Sequence, residues 1–465
     1  MADSSLEGNS ETAVLAAFAS RLRFESIPQK TIEHTKLSIL DTIGCALFGA
    51  TLPWIERLQT FVLREGGHAQ ATLWGSTVRV SRTQAALVNA TATHSFEFDD
   101  VHMGGMIHPG ALALGAVLAV GEPASIGGAD LLTAVVAGCE VGARVGRSVG
   151  TAHFRAGFHP QGTVGVFAAG AAAGRALGLD AECMRDTLGL SGSQASGLMA
   201  AQEGSMAKRL HSGLACQSGV RSALLASDGF TGIPDVFEAP FGGFCSTMGG
   251  GDVHLDELTA GLGARWETNE IGFKPYASCA AAQSSIGVAR ELRDTLVASG
   301  DEVRTITVHC STHAKVHCGW EYHPTGVTAS QMSIPYGVAS MLVHGDVSAE
   351  RFTQVAISDP VTLEMAKRVT VVGDDAIDQL GPEHRYAVRI DVVTDTGRTL
   401  EGAMADRPGG PTQPMSAPDI IDKFNALAEP HLGDTGAKAL RDLVERLEAV
   451  EDCGELVARM SRSAT

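Results

Sequence analysis

The chain has 465 residues, 44% of them hydrophobic and 19% charged, with a net charge of −18. Such a length exceeds what one hydrophobic core normally supports, so two domains are expected, and the composition is not that of a disordered chain. The acidic balance excludes a nucleic-acid partner, whose phosphates it would repel, but it is compatible with a small anion held in a local basic pocket.

The N-terminus (MADSSLEGNS) is polar and acidic and lacks the pattern of a signal peptide. No apolar run reaches bilayer length, and the nine cysteines, scattered without paired spacing, read as free thiols in a reducing compartment. These features predict a soluble, cytoplasmic protein with no membrane partner.

Residues 11 to 265 read mostly as helix. Val14, Leu15, Phe18 and Leu22 recur at helical spacing, as do Ile32, Ile39, Leu40, Ile43 and Leu47. The pattern continues over 83–94, 110–120, 130–145 and 184–190, with Asp180 placed to cap the last of these. The stretch Thr163 to Leu179 is rich in Ala and Gly and predicts close-packed helices, with Thr163 available as a cap. Near Trp266 the character changes. Residues 303–310 (VRTITVHC) and 386–394 (YAVRIDVVT) alternate apolar and polar side chains, which is strand periodicity. Asp395-Thr396-Gly397 reads as a hairpin turn into a further strand over 398–403. Helical patterns lie at 280–296 and 331–343, and the Pro/Gly-rich run from Arg407 reads as a linker before C-terminal helices. The predicted fold class is α+β. It comprises a helical domain over 1–265, an inserted α+β lid over 266–405, and helices over 406–465 that pack back on the first domain.

Four constellations carry chemistry. Glu97, Asp99 and Asp100 lie within eleven residues of His102 and His108, around a Gly104-Gly105 turn; a carboxylate beside a histidine is what a general acid/base needs. His159-Pro160 stands just ahead of the Ala/Gly-rich helix, whose N-terminal amides favour an anion. Lys208, Arg209 and His211 form a basic cluster in which Lys208 and His211 share a helix face. Finally, His309, Cys310, His313, His317 and Cys318 invite a zinc reading. His309 and Cys310 point to opposite faces of a strand and cannot chelate together, so no metal is expected.

The segments LDTIGC (40–45), SFEFDD (95–100), His108-Pro, Phe158-His-Pro, KRLHSG (208–213), KPYASC (274–279) and QMSIPY (331–336) together resemble the MmgE/PrpD superfamily, and HCGW (317–320) resembles its fungal cis-aconitate decarboxylase branch. The resemblance implies a helical domain with an α+β lid, a homodimer, no cofactor, and a site between the domains for a small polycarboxylate. It implies His108, His159, Lys208 and Tyr336 as catalytic residues. Glu97, Asp99, Asp100, His102, Arg209, His211, Lys274 and Gln283 are expected to bind substrate. Two departures stand out: Gln283 occupies a position where the family has histidine, and Val101 one where animal decarboxylases have threonine. The implied activity is a dehydratase or decarboxylase. The alternatives are an epimerase of a dicarboxylate and a ligand-binding member without catalysis.

Overall fold

The computed structural model describes residues 10–381 and 384–461. The helices α1 (Glu11–Arg21), α2 (Gln29–Gly49) and α4 (Arg82–Thr93) follow the predicted order; between α2 and α4 lie a further helix, α3 (Pro53–Glu65), and a short hairpin, β1 (Ala71–Thr72) and β2 (Arg79–Val80). A short strand β3 (Val101–His102) then leads to α5 (Pro109–Ala124), α6 (Gly128–Arg155, broken at Gly150), α7 (Pro160–Thr163), α8 (Gly165–Ala176), α9 (Ala181–Gly192), α10 (Ala207–Ser227) and α11 (Phe244–Met248). Asp180 caps α9 as expected, accepting the Cys183 amide at 2.9 Å.

Small residues decide how these helices pack. A methyl group on Gly142 of α6 would come within 2.6 Å of the Ala168 Cβ on α8, and one on Gly219 of α10 within 2.7 Å of the Ala169 Cβ. Backbones therefore meet nearly in contact, and the interior gains dispersion energy without large side chains. Thr163 departs from expectation. It does not cap α8; its hydroxyl accepts from or donates to His153 Nε2 at 2.6 Å and lies 3.2 Å from the His159 carbonyl.

A second short strand, β4 (Ile271–Gly272), pairs antiparallel with β3. The remaining elements are α12 (Ala280–Ser299), β5 (Val303–Cys310), α13 (Thr312–Cys318), α14 (Val327–Gln331), α15 (Ile334–His344), α16 (Pro360–Ala366), β6 (Val369–Gly373), α17 (Asp375–Asp378), β7 (Val388–Thr394) and β8 (Thr399–Met404). They build a four-stranded sheet of order β6-β5-β7-β8, with β5 and β6 parallel and the other pairings antiparallel. The fold is thus α+β and mostly helical. Alternation along β7 is strict, buried residues every second position, as the sequence predicts. The predicted helix over 331–343 is divided, Met332 and Ser333 separating α14 from α15.

Helix α18 (Ala417–Glu445) lies on α2, where a methyl on Gly44 would meet the Phe424 ring at 3.4 Å, and α19 (Gly454–Arg459) ends the described chain. The run from Arg407 is more than a linker. Arg407 is fully buried, and the Phe273 amide donates to the Gly409 carbonyl at 2.8 Å, fastening this run beside β4. One apolar core lies within the helices and a second joins α12, α15 and the sheet; Phe96 and Phe98 belong to the second although Ala90 and Ile107, on either side of them in the chain, belong to the first. The segment around Glu97 therefore sits on the seam.

Candidate active site

The β3–β4 pairing explains how residues far apart in sequence meet. Val101 faces Gly272 and His102 faces Ile271, which brings Lys274 beside the 97–100 segment. Lys274 Nζ lies 3.4 Å from both Glu97 Oε2 and Asp99 Oδ1. Lys208 and Arg209, in the first turn of α10, pair with the same Glu97 carboxylate. Gln331, at the end of α14, accepts from Arg209 Nη2 at 2.9 Å and donates to the Ala277 carbonyl at 3.2 Å, tying α10 to the loop ahead of α12.

Glu97 holds a left-handed backbone, φ +54°, which costs a non-glycine residue energy. Its two flanking phenylalanines are buried in the second core and anchor the turn, so the carboxylate is aimed away from them at the three cations. Burial disfavours this charge, but Lys208, Lys274 and Arg209 outweigh burial and hold Glu97 well below the usual carboxylate range. Asp99 behaves alike: against burial, His108, His94 and Lys274 keep it ionised. Burial lowers Lys208, opposed by Glu97, whereas for Lys274 the two carboxylates prevail over burial and raise it.

Both site histidines stand before a proline that starts a helix. The residue before proline is pushed to an extended conformation, and His108 (φ −108°, ψ 86°) and His159 (φ −92°, ψ 105°) take up that geometry at the N-termini of α5 and α7. His108 Nδ1 lies 2.6 Å from the Asp100 carbonyl and 3.3 Å from Asp99 Oδ1. A carbonyl only accepts, so Nδ1 carries the hydrogen and Nε2 of the neutral ring is the acceptor. His159 Nδ1 meets His211 Nδ1 at 2.8 Å, so one ring donates while the other accepts, and their proton positions are coupled. Burial first, then Lys208 and His94, pulls His159 well below its ordinary value.

Glu97, His108, His159 and Lys208 line one small cavity, together with Cys279 and Tyr386. Asp99, Arg209, Lys274 and His211 stand directly behind them as ion-pair or hydrogen-bond partners. A second cavity of about 800 Å³ shares Phe154, Met199, His313, His317 and Arg385 with the first and adds Arg155 at its wall.

Four of the residues expected to bind or react are placed elsewhere. Asp100 turns to the opposite side from Asp99, accepting from Ser38 Oγ at 3.1 Å and the Gly110 amide at 3.0 Å at the start of α5, and burial pushes its carboxyl well up. His102 pairs with Glu267 at 3.1 Å and accepts the Gly105 amide at 2.8 Å, in a network with Arg147 behind the site. Gln283 donates to the Tyr276 and Ser278 carbonyls at 2.9 and 2.8 Å and so fastens the turn ahead of α12. Tyr336 donates its hydroxyl to the Arg351 carbonyl, inside the second core. Accordingly Tyr336→Phe is expected to leave kcat unchanged and to cost about 1 kcal/mol of stability, the scale of one buried hydrogen bond. Steady-state kinetics beside thermal melting checks this; a fall in kcat at unaltered melting temperature contradicts it.

The sequence reading omitted His94, a fully enclosed member of the cluster. It is fully buried, bonds Asp99 Oδ2 through Nδ1 at 2.7 Å and packs its ring against His108, centroids 4.6 Å apart and planes tilted by 56°. It sits one residue before the SFEFDD segment, so proximity to that motif was the available signal. Among the described residues, two groups offer ligand atoms within 4.8 Å of one another: His94, Asp99 and His108; and Cys279, His317 and Cys318. The first is poorly suited to a metal cation, because Lys274 already neutralises Asp99, with Lys208 and Arg209 close by on Glu97.

Burial pulls His94 and His313 down to about 3 and also lowers His34, His153, His159 and His211. Their unfolded forms bind protons below an ordinary value of about 6.5 that the folded forms refuse, so stability falls as pH drops below that value. Asp41, Asp100 and Glu140, raised by burial, act in the opposite sense but are fewer. The melting temperature is therefore expected to decline from pH 7 to pH 5. A flat or rising profile in scanning calorimetry contradicts that sign.

The fold is α+β and mostly helical, and its buried cluster sets Lys208, Arg209 and Lys274 against Glu97 and Asp99 beside a small cavity. The chain belongs to the MmgE/PrpD family: residues 13–256 match the MmgE/PrpD N-terminal domain and residues 276–449 the C-terminal domain. It is 30% identical to a cis-aconitate decarboxylase of Aspergillus terreus, over 98% of both chains. It is 31% identical to the cis-aconitate decarboxylase-like protein oryM of Aspergillus oryzae, over 99% of this chain and 98% of that one. To the human cis-aconitate decarboxylase it is 27% identical, over 94% of this chain and 91% of the relative.

Proposed function

We propose that the chain decarboxylates a small unsaturated tricarboxylate of the cis-aconitate type, using its own side chains. The observation that carries this reading is the convergence of Lys208, Arg209 and Lys274 on Glu97, beside a cavity that also receives His108 and His159. Glu97 and Asp99 are held ionised while burial lowers His94, His159 and His211, so three cations face two anions. The excess positive charge suits an anionic substrate in spite of the acidic chain.

In cis-aconitate a CH₂–carboxylate is attached to an alkene carbon. When that carboxylate leaves as CO₂, its electron pair forms a new C=C bond. The old double bond takes a proton at its far carbon, and a shorter unsaturated dicarboxylate results. Lys208, on the cavity wall, anchors a carboxylate that stays and stabilises the charge spreading toward it. A proton donor must pass through an imidazolium, and the Asp99 carboxylate beside His108 complements that positive ring. His159, held neutral, relays with His211. The full-length similarity to decarboxylases favours this outcome over dehydration. The reading carries with it the homodimer and cytoplasmic setting expected above, the first checked by sedimentation velocity.

The experiment is a panel of cis-aconitate, 2-methylcitrate, citrate and iminodisuccinate followed by NMR. Consumption of cis-aconitate with release of CO₂ is expected. Elimination of water from 2-methylcitrate with cis-aconitate untouched would replace this reading by a dehydratase.

A further inference from the structure

We propose that Cys279 and Cys318 form a peroxide-reactive pair in the cavity wall, with Cys279 the attacking thiolate and Cys318 the resolving thiol of a reversible disulfide. The chemistry is independent of the substrate assigned above. The two sulfurs and a ring nitrogen of His317 all lie within 4.8 Å of one another. Both cysteines are buried in the second core, but Cys279 also lines the cavity, directly ahead of the 20-residue helix α12 whose N-terminal amides favour a thiolate. Cys318 is the last residue of α13 and is followed by Gly319.

The electrostatics favour the same division of labour. A hydrogen bond from the Cys318 thiol, reinforced by His317 and Lys208 against burial, brings Cys279 down to about 5, while burial and Cys279 itself hold Cys318 well up. His317 Nδ1 is buried without a hydrogen-bond partner among the described residues. The other cysteines lack these features. Burial raises Cys45, Cys139, Cys216, Cys245, Cys310 and Cys453, which makes them poor nucleophiles, and Cys183 is raised as well. A peroxide is close to water in size and reaches the pair through the adjoining cavity.

The steps balance. The Cys279 thiolate attacks one peroxide oxygen, the O–O bond breaks, and the leaving hydroxide takes a proton to become water. Sulfur is oxidised by two electrons to a sulfenic acid. The Cys318 thiol then attacks that sulfur, an S–S bond forms, and a second water leaves. The new bond tethers the segment that follows Lys274 to the end of α13.

Reduced full-length protein, treated with one equivalent of hydrogen peroxide and then alkylated, is read by intact mass and peptide mapping. A mass loss of about 2 Da, a linked Cys279–Cys318 peptide and full reversal by dithiothreitol are expected. In Cys318→Ala the sulfenic acid has no resolving partner, and with two or more equivalents of peroxide, the second oxidising the sulfenic acid, Cys279 is expected to gain about 32 Da as sulfinate, which dithiothreitol leaves unchanged. Cys183→Ala, as a control, should react as the parent does. Oxidation of another cysteine first, or continued alkylation of both thiols, overturns the proposal. So does an equivalent of zinc held by the pair in the purified protein, since the two thiolates would then be metal ligands.

Discussion

Replacing Lys208 by methionine is expected to lower kcat/KM by roughly 10³, because truncating one partner of a buried charged pair typically costs several kcal/mol. The stem keeps its volume and its place in the first turn of α10 while the ammonium is lost. Folding should suffer little. Glu97 retains Arg209 and Lys274 as partners, and Lys208 is the cation that burial has already made least favourable. The melting temperature is therefore expected to stay within about 3 °C of the parent. Kinetics and calorimetry on the same preparation decide the matter. A large loss of stability with intact kinetics would make Lys208 a structural partner of Glu97 and remove it from substrate binding.

His159→Gln is the second large effect. Glutamine retains about the same size and can still bond His211, but it cannot carry a proton near neutral pH. A fall in kcat of roughly 10² or more is expected, the scale of losing a general acid/base, with little change in substrate affinity by titration. Near-normal turnover would remove the His159 relay and leave proton transfer to His108 alone, whose Nδ1 is committed to the Asp100 carbonyl and whose Nε2 is the available acceptor.

Much of the fold is legible in the sequence, for a physical reason. Helix α1 and the first half of α2 bury one face on the helical core, so apolar residues recur with the helical period, α5 is buried all round and reads as an apolar run, and β7 buries every second residue. Strand β6 was missed. It is five residues long and pairs parallel with β5 through a crossover, so no hairpin turn announces it. In the site, residue types carried the reading further than positions did. Asp99 and Asp100 are adjacent and chemically alike, yet one faces the cations and the other Ser38 and the start of α5. His102 and His108 share a loop, but the pairing of β3 with β4 turns His102 toward Glu267. Nothing in local spacing encodes such a choice. Lys274 meets Glu97 across 177 positions of chain, a proximity only the resemblance suggested. His94 went unnoticed because its partner Asp99 lies across a turn that periodicity does not describe.

The central claim is that this cluster delivers a proton to carbon as CO₂ departs. The most direct measurement is turnover of cis-aconitate in deuterated water, with CO₂ quantified and substrate and product followed by NMR. The account predicts one equivalent of CO₂ and one carbon-bound deuterium per product molecule, at the far carbon of the former double bond, with recovered substrate unlabelled. Deuterium entering recovered substrate without release of CO₂ would contradict it and identify an enzyme that moves protons without cleaving carbon.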